Sequence, residues 1–206
     1  MEKNISVVLF DLGRVLMHID FDAFPNGLGL TTPSLRSQYD QKKVQQTVRS
    51  YETGNSSTEE FFDSLYAIFQ QQFSREQIRN AFDGIIVSDN VEIVPFVEQI
   101  RQQYRIAILS NTCESHWEKV LRISSVIKMF PDTFTSFHLG VMKPEKNIFE
   151  KVCALLHVEI GSVIFIDDLQ ENVDGARAAG MKGIVFHNAD QLQKDFQWYS
   201  SISHLK

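Results

Sequence analysis

Three short apolar runs, each closing on a polar residue, constrain this chain more than any other feature. "ISVVLFD" (5–11), "RIAILSN" (105–111) and "SVIFIDD" (162–168) are rich in β-branched residues and too short for buried helices. They lack the alternation of a half-exposed strand, as strands covered on both faces do. Helical patterns lie between them, over 91–103 before the second run, 114–130 after it and 144–157 before the third. A fourth strand, "GIVF" (183–186), follows "NVDGARAAGM", which reads as a helix stopped by Gly180. Strands alternating with helices predict an α/β fold, a doubly wound, Rossmann-like parallel sheet.

The stretch 17–90 breaks that alternation. It shows no buried strand but several amphipathic runs, 34–52 and 57–73 among them. The second opens with a capping-box pattern, Ser57 to Glu60, and spaces Phe61, Phe62, Leu65, Ile68 and Phe69 along one helical face. The expected organisation is a core of 1–16 and 91–206 interrupted by an all-helical insertion, 17–90, whose aromatic stripe packs its own helices. The turn at Gly54-Asn55-Ser56 separates two of them.

In open α/β sheets, ligands sit beyond the carboxyl ends of the strands. Those ends carry Asp11 with Gly13, Ser110 with Asn111, and Asp167 with Asp168. An aspartate ending an apolar strand loses hydration and needs compensation. Carboxylates converging from two strands repel one another unless a hard divalent cation reverses the sign, and a few oxygen ligands completed by water suit Mg²⁺. A carboxylate beside such a cation can attack phosphorus, with Ser110, the N–H groups of Asn111 and Thr112, and Lys143 of "GVMKPE" as donors to a phosphoryl group. Singly, each has a plainer reading: Asp11, Asn111, Asp167 and Asp168 as caps or turn residues, Lys143 as a surface lysine.

In this order, the motifs "VVLFDLGRVL", "IAILSNT", "GVMKPEKNIFE" and "VIFIDDLQENVDGARAAGM" resemble those of the haloacid dehalogenase superfamily, in the branch with a helical cap inserted between the first two. The resemblance spans residues 7–181. It implies Asp11 as nucleophile and metal ligand, the Gly13 carbonyl and Asp168 as further ligands, and Asp167 acting through water. Ser110 and Asn111 would hold phosphoryl oxygens, Lys143 would neutralise phosphate and Asp11, and Asn172 would order the metal loop.

Most phosphatases of that family carry Asp-x-Asp, the second aspartate handling the leaving-group proton; here Gly13 stands in its place. The backbone carbonyl still serves a metal, but positioned proton transfer, worth on the order of 10²–10⁴ in rate, must come from elsewhere. His18 and Asp20 are candidates, set against a plain linker role, and Arg14 is either a substrate clamp or solvent-facing. The "DLG" form resembles sugar-1-phosphate phosphatases and the phosphatase domain of soluble epoxide hydrolases. The expected function is therefore a Mg²⁺-dependent phosphatase of a small phosphorylated metabolite, sugar phosphates included. The alternatives are a metal-independent 2-haloacid dehalogenase, against which Asp167-Asp168 counts, and a binding or regulatory protein on a weakened site.

A formal net charge of −6 opposes a nucleic-acid footprint. No run reaches the roughly 18 apolar residues of a membrane span, and the first residues lack a signal-peptide pattern. Two cysteines, Cys113 and Cys153, without C-x-x-C spacing, make no disulfide framework. A cytoplasmic protein is expected, its oligomeric state open.

Overall fold

The computed structural model describes residues 4–203. The apolar runs, joined by one further segment, form a parallel sheet of β1 (Val7–Phe10), β4 (Arg105–Ser110), β5 (Asp132–Thr135), β6 (Val163–Asp167) and β7 (Lys182–Val185), in the order β5-β4-β1-β6-β7. β1 is central, and its in-register neighbours β4 and β6 bring Asp11, Ser110 and Asp167 to one edge. That edge lies at the reversal of strand order, where α/β sheets bind ligands.

Alternation along the strands builds two apolar layers. Val7, Leu9, Ala107, Leu109, Val163 and Phe165 pack with helices α9 (Lys146–Leu156) and α10 (Gln170–Ala179). On the other face, Val8, Phe10, Ile106, Ile108, Ile164 and Ile166 join α6 (Val94–Ile100), α7 (Glu114–Ile123) and Phe196 of α11 (Ala189–Ser203). This second layer continues without a break into the insertion.

The insertion carries α1 (Ala23–Gly27), α2 (Pro33–Arg36), α3 (Gln41–Glu52), α4 (Thr58–Ile68) and α5 (Arg75–Asp83). The expected capping box is present, Ser57 and Glu60 closing it on α4, and a second forms between Ser74 and Gln77 on α5. Phe61 is fully buried against Tyr51, Phe62 and Phe82, so the aromatic stripe is packing.

The all-helical expectation needs one correction. Both ends of the insertion are extended, β2 (Met17–Ile19) pairing antiparallel with β3 (Ile86–Asp89). These strands are too short and too exposed to show a pattern in sequence. Beside them Asn90 donates from its backbone N–H to the Leu16 carbonyl and from Nδ2 to that of Val15, each at 2.9 Å. Asp89 accepts from Ser124, Ser125 and Val126, tying the ribbon to the loop after α7.

Other differences are of length. β5 has no apolar signature in the sequence, because "DTFT" carries a single large apolar residue. The run 114–130 divides into α7 and a 3₁₀ turn, Val126–Met129. The run 34–52 divides into α2 and α3, and Asp40 caps the second. Gly180 stops α10 in the left-handed region, φ 108°.

One glycine sets a close approach that matters for the site. A Cβ at Gly175, inside α10, would lie 2.5 Å from the carbonyl oxygen of Pro144, beside Lys143. Gly175→Ala is expected to destabilise the protein by about 1–3 kcal/mol through that overlap, read as a lowered urea midpoint at unchanged slope.

Candidate active site

Lys143 is the centre of the site. Its Nζ lies 2.6 Å from Asp11 Oδ1 and 2.7 Å from Asp167 Oδ2, and the lysine is only 3% exposed. Burial alone would push its pKa down; the two carboxylates outweigh that and hold it above the ordinary lysine value. Its backbone is fixed as firmly: Asn111 Nδ2 donates to the Lys143 carbonyl and Asn111 Oδ1 accepts from the Lys143 N–H, both at 2.9 Å.

Asp167 is fully buried and committed to protein donors. Its oxygens accept from Lys143, from Asn172 Nδ2 at 3.0 and 3.1 Å, and from the Leu169 N–H at 2.8 Å. Asp168 is partly exposed and lies 3.7 Å from Arg14. Burial, with Asp167 adding to it, raises the Asp168 carboxyl above its usual range. Burial also pushes Asp11 up to about 7, against the pull of Lys143 and with Asp167 adding.

Asp11, Asp167 and Asp168 each offer an oxygen within 4.8 Å of the others. The three carboxylates face Lys143 and, from Asp168, Arg14, and it is first of all their burial that raises the Asp11 and Asp168 carboxyls. Hard oxygen donors at this spacing, with few of them, fit Mg²⁺ or a similar cation.

These groups open into a cavity of about 450 Å³ between the sheet edge and the insertion, lined by Asp11, Gly13, Ser110, Lys143 and Asp168 among others. The Ser110 hydroxyl lines it, and no hydrogen bond holds it among the described residues. Thr112 differs from expectation, and the Asn111 side chain has a partner of its own. The Asn111 amide is spent on the Lys143 backbone, and the Thr112 N–H donates to Ser136 Oγ at 3.0 Å. α7 begins only at Glu114, and its Ser115 N–H donates to the Tyr51 hydroxyl of the insertion.

Arg14, at φ 57°, lies beside Asp168 and with its guanidinium 5.1 Å from the centre of the Phe21 ring. His18 and Asp20 are not among the cavity's lining residues; Asp20 accepts the Asp22 N–H on the surface. Gly13 is crowded, since a Cβ there would run into Ile19 Cδ1. The space of a second aspartate is therefore partly filled by an isoleucine from β2.

Two titratable residues facing the cavity gave no motif in sequence. His116 donates from Nε2 to the Phe82 carbonyl at 3.0 Å and stacks on the Phe82 ring; burial lowers its pKa to about 4, so it is neutral at physiological pH. Glu52 ends α3, and burial, opposed by Arg49, pushes its carboxyl up to about 7. The signal that could have found Glu52 is the spacing of Val44, Val48 and Glu52 on one helical face.

Folded protein holds the Glu52 proton to about pH 7, whereas the unfolded chain releases it near 4.5. Stability is therefore lost as pH rises across that interval. The melting temperature of Glu52→Gln is expected to gain on the wild type between pH 5 and pH 8. Lys143→Met leaves Asp11 and Asp167 buried without their cation, an expected loss of about 3–5 kcal/mol. Urea unfolding should show that loss shrinking at pH 5, where carboxylates take up protons.

The model of the haloacid dehalogenase-like hydrolases matches residues 5–180. A D-ribitol-5-phosphate phosphatase of Bacteroides thetaiotaomicron is 26% identical over 188 residues, covering 86% of this chain and 90% of the relative. Drimenol cyclase of Aspergillus calidoustus is 25% identical over 198 residues; the match takes in 92% of this chain but only 35% of that protein. Among solved structures, a HAD family enzyme of B. thetaiotaomicron in complex with magnesium and inorganic phosphate superposes with a TM-score of 0.78 at 23% identity, over 90% of this chain and 96% of the other. No helix among the described residues is long and apolar enough to cross a membrane. With a family model matched over most of its length and the corresponding fold, the chain belongs to the haloacid dehalogenase-like hydrolases.

Proposed function

We propose that the protein is a Mg²⁺-dependent phosphatase of a small phosphorylated metabolite. The observation that carries this reading is the convergence of Asp11, Lys143, Asp168 and the buried Ser110 on one cavity. The ribitol-phosphate phosphatase and the magnesium–phosphate complex among similar proteins support it. The segment 17–90 acts as the cap, with its hinges at the β2/β3 ribbon.

The Asp11 carboxylate attacks phosphorus in line; the Oδ–P bond forms as the ester P–O bond breaks, and the alkoxide takes a proton from solvent. Water then attacks the aspartyl-phosphate, the P–Oδ bond breaks, and Asp11 and inorganic phosphate are released. Lys143, already on Asp11, balances charge on the phosphoryl oxygens, and Ser110 donates to one of them. Asn111 acts by fixing the Lys143 backbone, and Asn172 by fixing Asp167. Asp11, the Gly13 carbonyl and Asp168, with Asp167 through water, would hold the cation, which would supply positive charge to offset the phosphoryl charge that otherwise repels the nucleophile.

Without a carboxylate at Gly13 the leaving group is unassisted, so esters of acidic alcohols react fastest. Purified protein with Mg²⁺ is expected to release phosphate from aryl phosphates faster than from alkyl phosphates. EDTA or Asp11→Asn should bring release to background. An absence of Mg²⁺-dependent phosphate release across aryl, sugar and alkyl phosphates would overturn the reading.

A further inference from the structure

Beyond the phosphoryl end, the cavity is walled largely by the insertion, and most of that wall is hydrocarbon. Ile19 and Ile86 come from the hinge strands, Phe24 and Phe82 from α1 and α5, and Val44 and Val48 from α3. Phe21 and Leu169 also line it, and both are large apolar side chains left 59% and 42% exposed. A ligand that covered them would remove apolar surface from water, the main favourable term in small-molecule binding.

Polar side chains on the insertion side of the cavity are few and partly engaged. Arg49 reaches Glu145 at 3.3 Å, and His116, which faces the insertion from α7, gives its Nε2 proton to the Phe82 carbonyl. Gln45 and Glu52 remain, on the same helix as Arg49. A polyol chain laid against such walls would leave several hydroxyls without partners, and each unmade hydrogen bond counts against binding.

We infer that the substrate is a phosphate monoester whose alcohol portion is apolar, an alkyl, alkenyl or aryl group rather than a polyol. This rests on the phosphatase reading and narrows its substrate class. The phosphate is held by Ser110 and Lys143, and the hydrocarbon lies between the valines of α3 and the isoleucines of the hinge strands.

Pentyl phosphate and ribitol 5-phosphate make a matched test, because both are five-carbon primary alkyl monoesters and differ in the hydroxyls. With Mg²⁺, kcat/KM for pentyl phosphate should exceed that for ribitol 5-phosphate by roughly tenfold or more, and octyl phosphate should do better again. Val48→Asn should narrow the gap by raising KM for pentyl phosphate more than it lowers kcat. Equal or better turnover of ribitol 5-phosphate, lost in Asp11→Asn, would overturn the apolar assignment and leave the phosphatase standing. If no ester is cleaved, the phosphatase reading fails separately, and calorimetry with pentylphosphonate and its polyhydroxylated counterpart decides the cavity. Preference for pentylphosphonate upholds an apolar site; parity overturns it.

Discussion

A lysine ammonium held between two buried carboxylates is the constraint on which the rest of this structure depends. Lys143 meets Asp11 and Asp167 at hydrogen-bonding distance inside a largely dry strand edge. Such an arrangement is tolerated only where every other lone pair and proton has a partner. That accounts for the polar shell: Asn172 and the Leu169 N–H complete Asp167, and Asn111 locks the Lys143 backbone. Gly175 belongs to the same constraint, because only a residue without a side chain lets α10 approach the loop that carries Lys143.

The insertion contributes differently. Its helices share one continuous apolar layer with a face of the sheet, so its fold is not independent of the core's packing. The Tyr51 hydroxyl accepts the Ser115 N–H, and Ser136 donates to the Glu52 carbonyl, a polar seam beside that layer. Above the sheet edge the two parts draw apart enough to leave the cavity, and the walls there stay apolar. Low polarity on one side strengthens electrostatic interactions on the other, which suits a site working by charge neutralisation.

Much of this was legible in sequence for a simple reason. β1, β4 and β6 are buried on both faces, so their composition alone marks them, and their polar ends must then be the site. The helix caps of α4 and the stop at Gly180 were equally readable, being local chemistry. β5 and the β2/β3 ribbon were not, because short or exposed strands carry no apolar signature. Within the site, Asn111 shows the limit of motif reading. Its presence was evident, but that its amide is spent on Lys143, 32 positions away, is a property of the folded chain. Glu52 and His116 were missed because burial, not residue type, gives them their unusual proton affinities.

Gly13 is more than an absent carboxylate. Since the Ile19 side chain reaches into the space a Cβ would occupy, residue 13 and strand β2 are in steric contact. The overlap is with the terminal methyl of a half-buried, flexible side chain and not with backbone, so a rotation of Ile19 can relieve it. Ile19 also lines the cavity, and any side chain added at residue 13 would therefore reshape the cavity wall at the same time.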